Sequence, residues 1–113
     1  MQIEWQKEIS QRKDALLADL TEMLKIESVR NEKLGSKNAP FGPGPRAALD
    51  KFLEIGKRDG FAVLNVDGIA GHLEYGTGIE TMGILAHVDV MPAGKGWDTD
   101  PFEPIIKDGK LFA

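Results

Sequence analysis

Residues 83–102 read GILAHVDVMPAGKGWDTDPF, and this stretch decides how the rest of the chain is interpreted. It begins as a run that is apolar on both faces, which is typical of a central strand covered by helices. The run ends in His87 and Asp89, whose side chains share one face of an extended strand while Val88 points to the other. Because ligands in open α/β sheets bind at the carboxyl ends of strands, the stretch predicts an α/β fold with a functional site here.

The pairing of a histidine with a carboxylate suits a metal site. One imidazole nitrogen can bind an ion while the other donates a hydrogen bond to a carboxylate, which sets the tautomer and the ring orientation. This arrangement makes His87 a candidate metal ligand and Asp89 a candidate catalytic-site carboxylate that orients it. A two-residue pattern is short, so the spacing alone leaves open that His87 is a structural or surface histidine.

Two amphipathic helices are predicted before the strands. The first covers residues 5–28, and a loop rich in glycine and proline follows over residues 29–45. The second covers residues 46–58, with Pro45 in its first turn and Gly60 as its stop. The predicted core-facing stripe of the first helix includes Ile9, Leu16, Leu17, Leu20, Met23 and Leu24. The predicted buried face of the second consists of Ala48, Leu49, Phe52, Leu53 and Ile55 or Gly56.

Beyond Gly60 the apolar period changes from that of a helix toward that of a strand. Residues 61–66, 70–75 and 81–87 are predicted strands, and the first two form a hairpin across Asp67-Gly68. A second Asp-Gly pair at 108–109 predicts another hairpin. Together these elements predict two helices followed by a mixed β-sheet.

Three further residues are candidates for a site. His72 lies inside the second predicted strand, away from the carboxyl end that carries His87, and is predicted to be structural. Asp98 and Asp100 follow in a loop and are possible extra ligands, while Trp97 and Phe102 are predicted to anchor that loop.

Composition excludes several classes of function. The 113 residues include 14 basic and 18 acidic side chains, a net charge of −4, and no long block of either sign that would bind nucleic acid or a membrane surface. No stretch is apolar over the length of a membrane span. Cysteine is absent, so a metal must be held by imidazole and oxygen ligands. A cytoplasmic protein is the default expectation.

The motifs, taken together, resemble a known family over nearly the whole chain. Residues 85–94, 96–97, 100–102 and 108–111 resemble the first metal-binding segment of the M20 family of metallopeptidases. Residues 24–29 and 65–76 resemble its dipeptidase V branch, the bacterial dipeptidases related to carnosinases.

This resemblance implies a structure and an activity. Residues 1–113 would be the N-terminal portion of a zinc-peptidase-like catalytic domain, incomplete because the family's remaining metal ligands and catalytic glutamates follow beyond Ala113. His87 matches the first metal ligand of the family, and Asp89 matches the aspartate that supports it. The implied activity is hydrolysis of dipeptides by a site with two divalent metal ions, zinc or alternatively manganese. The isolated fragment is expected to be inactive.

Two other functions stay open at this point. The parent protein could be an N-acyl amino acid deacylase of the same family, which performs a related amide hydrolysis. Alternatively, the chain could be a non-catalytic α/β interaction fragment whose uncovered apolar surface leads to self-association.

Overall fold

The structure is a computed structural model that describes all 113 residues. Its order of elements is helix α1 (Trp5–Leu24), a 3-10 turn (Glu32–Leu34), helix α2 (Pro43–Arg58), and strands β1 (Ala62–Val66), β2 (Ala70–Glu74), β3 (Ile105–Lys107) and β4 (Lys110–Phe112). The strands form two separate antiparallel pairs, β1 with β2 and β3 with β4. The predicted α/β class, with two helices followed by strands, is confirmed.

Helix α2 begins earlier than predicted. Pro43 occupies its first position and Pro45 also lies in the first turn, where backbone N–H groups have no partner within the helix. Gly42 precedes the helix with φ of 103°, a value that favours glycine. The helix ends as predicted, with Gly60 at φ of 88° directly after the cap.

The core lies between α2 and the first hairpin. Ala48, Leu49, Leu53 and Gly56 are the buried residues of α2. Gly56 permits close packing on β2, because a Cβ atom at this position would overlap the side chain of Leu73. The prediction that Phe52 belongs to this buried face is wrong. Phe52 is 36% exposed, since it lies at the margin of the face that the small hairpin covers.

Both Asp-Gly pairs form the predicted hairpin turns. Asp67 and Gly68 have φ of 55° and 69°, and Asp108 and Gly109 have φ of 52° and 71°. Two successive positive φ angles are what type I′ turns require, and aspartate followed by glycine tolerates them best. In the first turn the Gly68 N–H also donates to Asn65 Oδ1 at 2.7 Å.

Helix α1 is shorter and less covered than predicted. It ends at Leu24, and none of its residues is buried. Only Leu17, Met23 and Leu24 of the predicted stripe are half-buried, whereas Ile9, Leu16 and Leu20 are exposed because nothing in the chain packs on this part of the helix.

An ion pair joins the two helices. Arg58 of α2 donates two hydrogen bonds of 2.8 Å to the carboxylate of Asp19 in α1. The hydrogen bonds from the Arg58 guanidinium hold the pKa of Asp19 below its ordinary value. Both side chains remain partly exposed, so the pair orients α1 on α2 more than it stabilises the fold.

The predicted strand over residues 81–87 is wrong as a paired strand. This segment has no hydrogen-bonded neighbour, and both Ile84 and Leu85 are exposed. The pairing that does occur comes three residues later, where Val90 forms a parallel bridge with Val29. A strand needs a neighbour for its backbone groups, and the chain supplies one only at this position. The predicted mixed sheet is therefore present as two hairpins and one parallel bridge.

The chain exposes an unusually large surface for its mass. Its accessible area is 9502 Å², whereas a compact protein of 12.4 kDa exposes about 6,100 Å². The radius of gyration is 16.6 Å, against about 13 Å expected for this length. Exposed large apolar side chains occur along residues 75–104, among them Ile79, Ile84 and Leu85. Neither helix combines the length and apolar character that crossing a membrane would need.

Candidate functional site

His87 and Asp89 lie side by side, as the strand spacing predicts. The His87 Nδ1 atom is 2.9 Å from the backbone oxygen of Asp89 and 3.2 Å from its Oδ1. This contact agrees with the rule that side chains two residues apart in an extended chain share one face. Asp89 therefore holds one nitrogen of the imidazole ring through both its main chain and its side chain.

This contact selects one tautomer of His87. A carbonyl oxygen and an ionised carboxylate can only accept hydrogen bonds, so Nδ1 must carry the proton that it donates to them. In the neutral ring Nε2 then keeps its lone pair. No protein atom bonds to Nε2, and the His87 side chain is 82% exposed. The ring is oriented as a metal ligand requires, with its free nitrogen accessible.

The chain supplies only part of a metal site. No group of three or more His, Cys, Asp or Glu side chains lies close enough to hold a metal ion. Zinc sites in proteins normally use three or four protein ligands. The residues present therefore fit one ligand with its orienting carboxylate, and they do not form a complete site by themselves.

The segment that carries the site is held by a residue that sequence reasoning missed. Ser28 Oγ donates to the backbone oxygen of Val88 at 2.9 Å, and the Val90 N–H donates to the backbone oxygen of Ser28 at 3.2 Å. Apolar periodicity predicts Ser28 only as the last residue of the first helix. No local pattern identifies it, because its partners are about 60 residues away.

The other site candidates lie apart from His87. Asp100 Oδ1 accepts a hydrogen bond from the Phe102 N–H at 2.9 Å, which makes it a turn residue, and Asp98 is exposed. His72 is exposed on β2, paired with Leu64 across the hairpin. Trp97 is attached to its own loop through a 2.9 Å hydrogen bond from Nε1 to the Ala93 oxygen.

Known proteins that resemble this chain are longer than it is. No protein-family model matches it. Proteins named "Putative dipeptidase" from the Staphylococcus aureus strains USA300, NCTC 8325 and COL are each 50% identical to it over 109 residues. The aligned residues are 96% of this chain but 23% of each relative, so the chain spans about a quarter of the length of these proteins. The names of these relatives support the predicted similarity to dipeptidases. Membership of the M20 family stays a prediction.

Proposed function

We propose that this chain forms part of a metal-dependent dipeptidase in which His87 binds one metal ion and Asp89 orients His87. The observation that carries the proposal is the contact between His87 Nδ1 and Asp89, which leaves Nε2 free and exposed. The relatives that are 50% identical in sequence are named as putative dipeptidases, and this supports the choice of a peptide substrate. The remaining ligands would come from the three-quarters of the relatives' length that has no counterpart in this chain.

The part played by each residue follows from its position. His87 would donate the Nε2 lone pair to the ion. Asp89 would keep the proton on Nδ1, fix the plane of the ring and make the imidazole a stronger donor. When bound, divalent metal, as two ions of zinc or alternatively manganese, would supply polarisation of the scissile carbonyl and a lowered pKa of the attacking water. With one ligand alone, the 113-residue chain is expected to bind metal weakly and to hydrolyse nothing.

The experiment compares the two histidines of the chain. The variants His87→Ala and His72→Ala are made in the longest natural polypeptide that contains residues 1–113, here called the complete polypeptide. Metal is removed and restored as zinc or manganese, and both bound metal and dipeptide hydrolysis are measured. The His87→Ala variant should lose bound metal and at least about 100-fold in kcat/KM, because a ligand is removed. His72→Ala, a change of the same size at an exposed position, should leave both unchanged.

Other outcomes would decide against the proposal. Full metal content and unchanged turnover in His87→Ala would show that His87 is not a ligand. A second panel of N-acetylated amino acids tests the deacylase alternative, which is favoured if those substrates are cleaved faster than dipeptides. Absence of any amide hydrolysis with either metal would leave the interaction fragment as the better interpretation.

A further inference from the structure

Ser28 has the most enclosed polar side chain in the molecule. It lies four residues beyond the last residue of α1 and is 1% exposed. On one side it faces α2, where a Cβ atom at Gly44 would collide with the Glu27 oxygen and lie 3.2 Å from Ser28 Cα. Gly44 therefore allows the first turn of α2 to press directly against the backbone of residues 27–28. Helix α2 thus packs against the backbone of Ser28 on this side.

On its other side Ser28 holds the segment that carries the candidate site. Its hydroxyl donates to the Val88 oxygen and its own carbonyl accepts from the Val90 N–H, so the two bonds lie on either side of Asp89. Every hydrogen bond that joins residues 76–113 to the rest of the chain involves Ser28. The position of Asp89, and through it the ring of His87, depends on this one contact.

We propose that Ser28 is a positioning residue for the candidate site, which holds the Val88–Val90 backbone so that Asp89 and His87 keep their orientation. This inference rests on the proposed function for its effect on catalysis, although the contact itself can be tested without activity. The hydroxyl is needed because Val88 otherwise has no donor at this position. Val88 is half-buried, and its carbonyl without this donor would draw the segment away from Ser28 toward water.

The test uses three substitutions of Ser28 in the complete polypeptide. Ser28→Ala removes the donor and leaves a smaller side chain. Ser28→Thr keeps the hydroxyl, and Ser28→Val has the same shape as threonine without it, so this pair separates the hydrogen bond from any effect of extra volume. Leu53→Ala in the core of α2 serves as the control for a general loss of stability.

Two readouts are measured on each variant. The first is hydrogen exchange of the Val90 amide in metal-free protein, which should become about tenfold faster in Ser28→Ala and Ser28→Val as the segment loosens. The second is steady-state dipeptide hydrolysis at saturating metal. There kcat should fall about tenfold while KM changes little, because a misplaced ligand affects the reacting centre more than substrate capture. Ser28→Thr should lie clearly closer to the unsubstituted protein than Ser28→Val in both.

The outcomes separate the two proposals. Unchanged Val90 exchange in Ser28→Ala, or equal behaviour of the threonine and valine variants, would overturn the positioning role. The same would follow if Leu53→Ala reproduced the loss of kcat. A complete polypeptide that hydrolyses no dipeptide with any metal would refute the proposed function, while the exchange data would still decide whether Ser28 holds the segment.

Discussion

The unit formed by α2, β1 and β2 and the segment over residues 75–104 are both rich in apolar side chains, but only the first buries them. Leu49 and Leu53 in α2 are 6% and 8% exposed, whereas Ile84 and Leu85 are 85% and 101% exposed. The difference lies in the distance to a partner. Helix α2 meets a hairpin that begins four residues after its end. Residues 75–104 form backbone pairing and hydrogen bonds with the earlier part of the chain only at Ser28 and Val29. An apolar pattern predicts burial only where a partner for it exists.

The candidate site lies in only one of these two regions. The packed unit contains no candidate site residue apart from the exposed His72, and the open segment contains both His87 and Asp89. The two candidate residues are therefore not enclosed by a core, and the segment that carries them is hydrogen-bonded to Ser28.

The largest expected effect comes from the same substitution made in each region. Leu53→Ala should lower the free energy of unfolding by about 2–4 kcal/mol, because it leaves a cavity between α2 and the hairpin. Leu85→Ala should change it by less than about 0.5 kcal/mol in the 113-residue chain, since no contact is lost. Urea unfolding of both variants measures this. A similar loss in both would mean that residue 85 is packed and that the two regions do not differ.

The next effect tests the proposed role of Asp89 in the open segment. Asp89→Asn in the complete polypeptide should lower kcat/KM by about 10- to 100-fold, because a neutral amide supports the imidazole less well than a carboxylate. Asp98→Asn, in the solvated loop that follows, is the matched control and should have no effect. Activity that survives Asp89→Asn intact would mean that the Asp89 backbone oxygen alone orients His87.

A glycine pair tests how tightly each region is packed. Gly56→Ala should destabilise the chain by about 1–3 kcal/mol although alanine favours helices, because its Cβ atom would overlap Leu73. Gly83→Ala should be neutral, since no atom lies within 4 Å of the added group. Thermal unfolding of the two variants gives the comparison. Stabilisation by Gly56→Ala would show that Leu73 moves aside without loss.

The smallest effect is a pH dependence at the margin of the packed unit. The pKa of Asp19 is lowered in the folded chain by its hydrogen bonds to Arg58, so the pair stabilises the fold above the ordinary aspartate pKa. This contribution is lost as the pH falls from that value through the lowered one. The melting temperature of Asp19→Asn should therefore lie slightly below that of the unsubstituted chain near neutral pH and converge with it in acid. Asp14→Asn, on the same helix, removes a carboxylate that forms no ion pair. Its melting temperature should equal that of the unsubstituted chain both near neutral pH and in acid.

Local elements were predictable from the sequence wherever neighbouring residues determine them. The two Asp-Gly turns, the end of α2 at Gly60 and the proximity of His87 to Asp89 all depend on conformational preferences within a few residues. Failures occurred where a distant partner was assumed. The strand over 81–87 and the inner face of α1 were predicted from apolar periodicity. The strand has no partner in this chain, and the face of α1 is covered only in part.

The candidate site also contains residues that the sequence predicts and one that it does not. Spacing alone placed His87 and Asp89 on one face, because side chains alternate along an extended backbone. Ser28 could not be found by such reasoning, since a serine after a helix is common and its contact with Val88 joins residues 60 positions apart. Its burial and its two hydrogen bonds are properties of the tertiary structure.

The sequence by itself determined the helices, the two hairpin turns and the pairing of His87 with Asp89, because each follows from backbone preferences and side-chain periodicity over short distances. Only the tertiary structure decided which apolar faces are covered and what holds the site in place. Burial and long-range hydrogen bonds depend on which segments meet in space, and that information is spread over the whole chain.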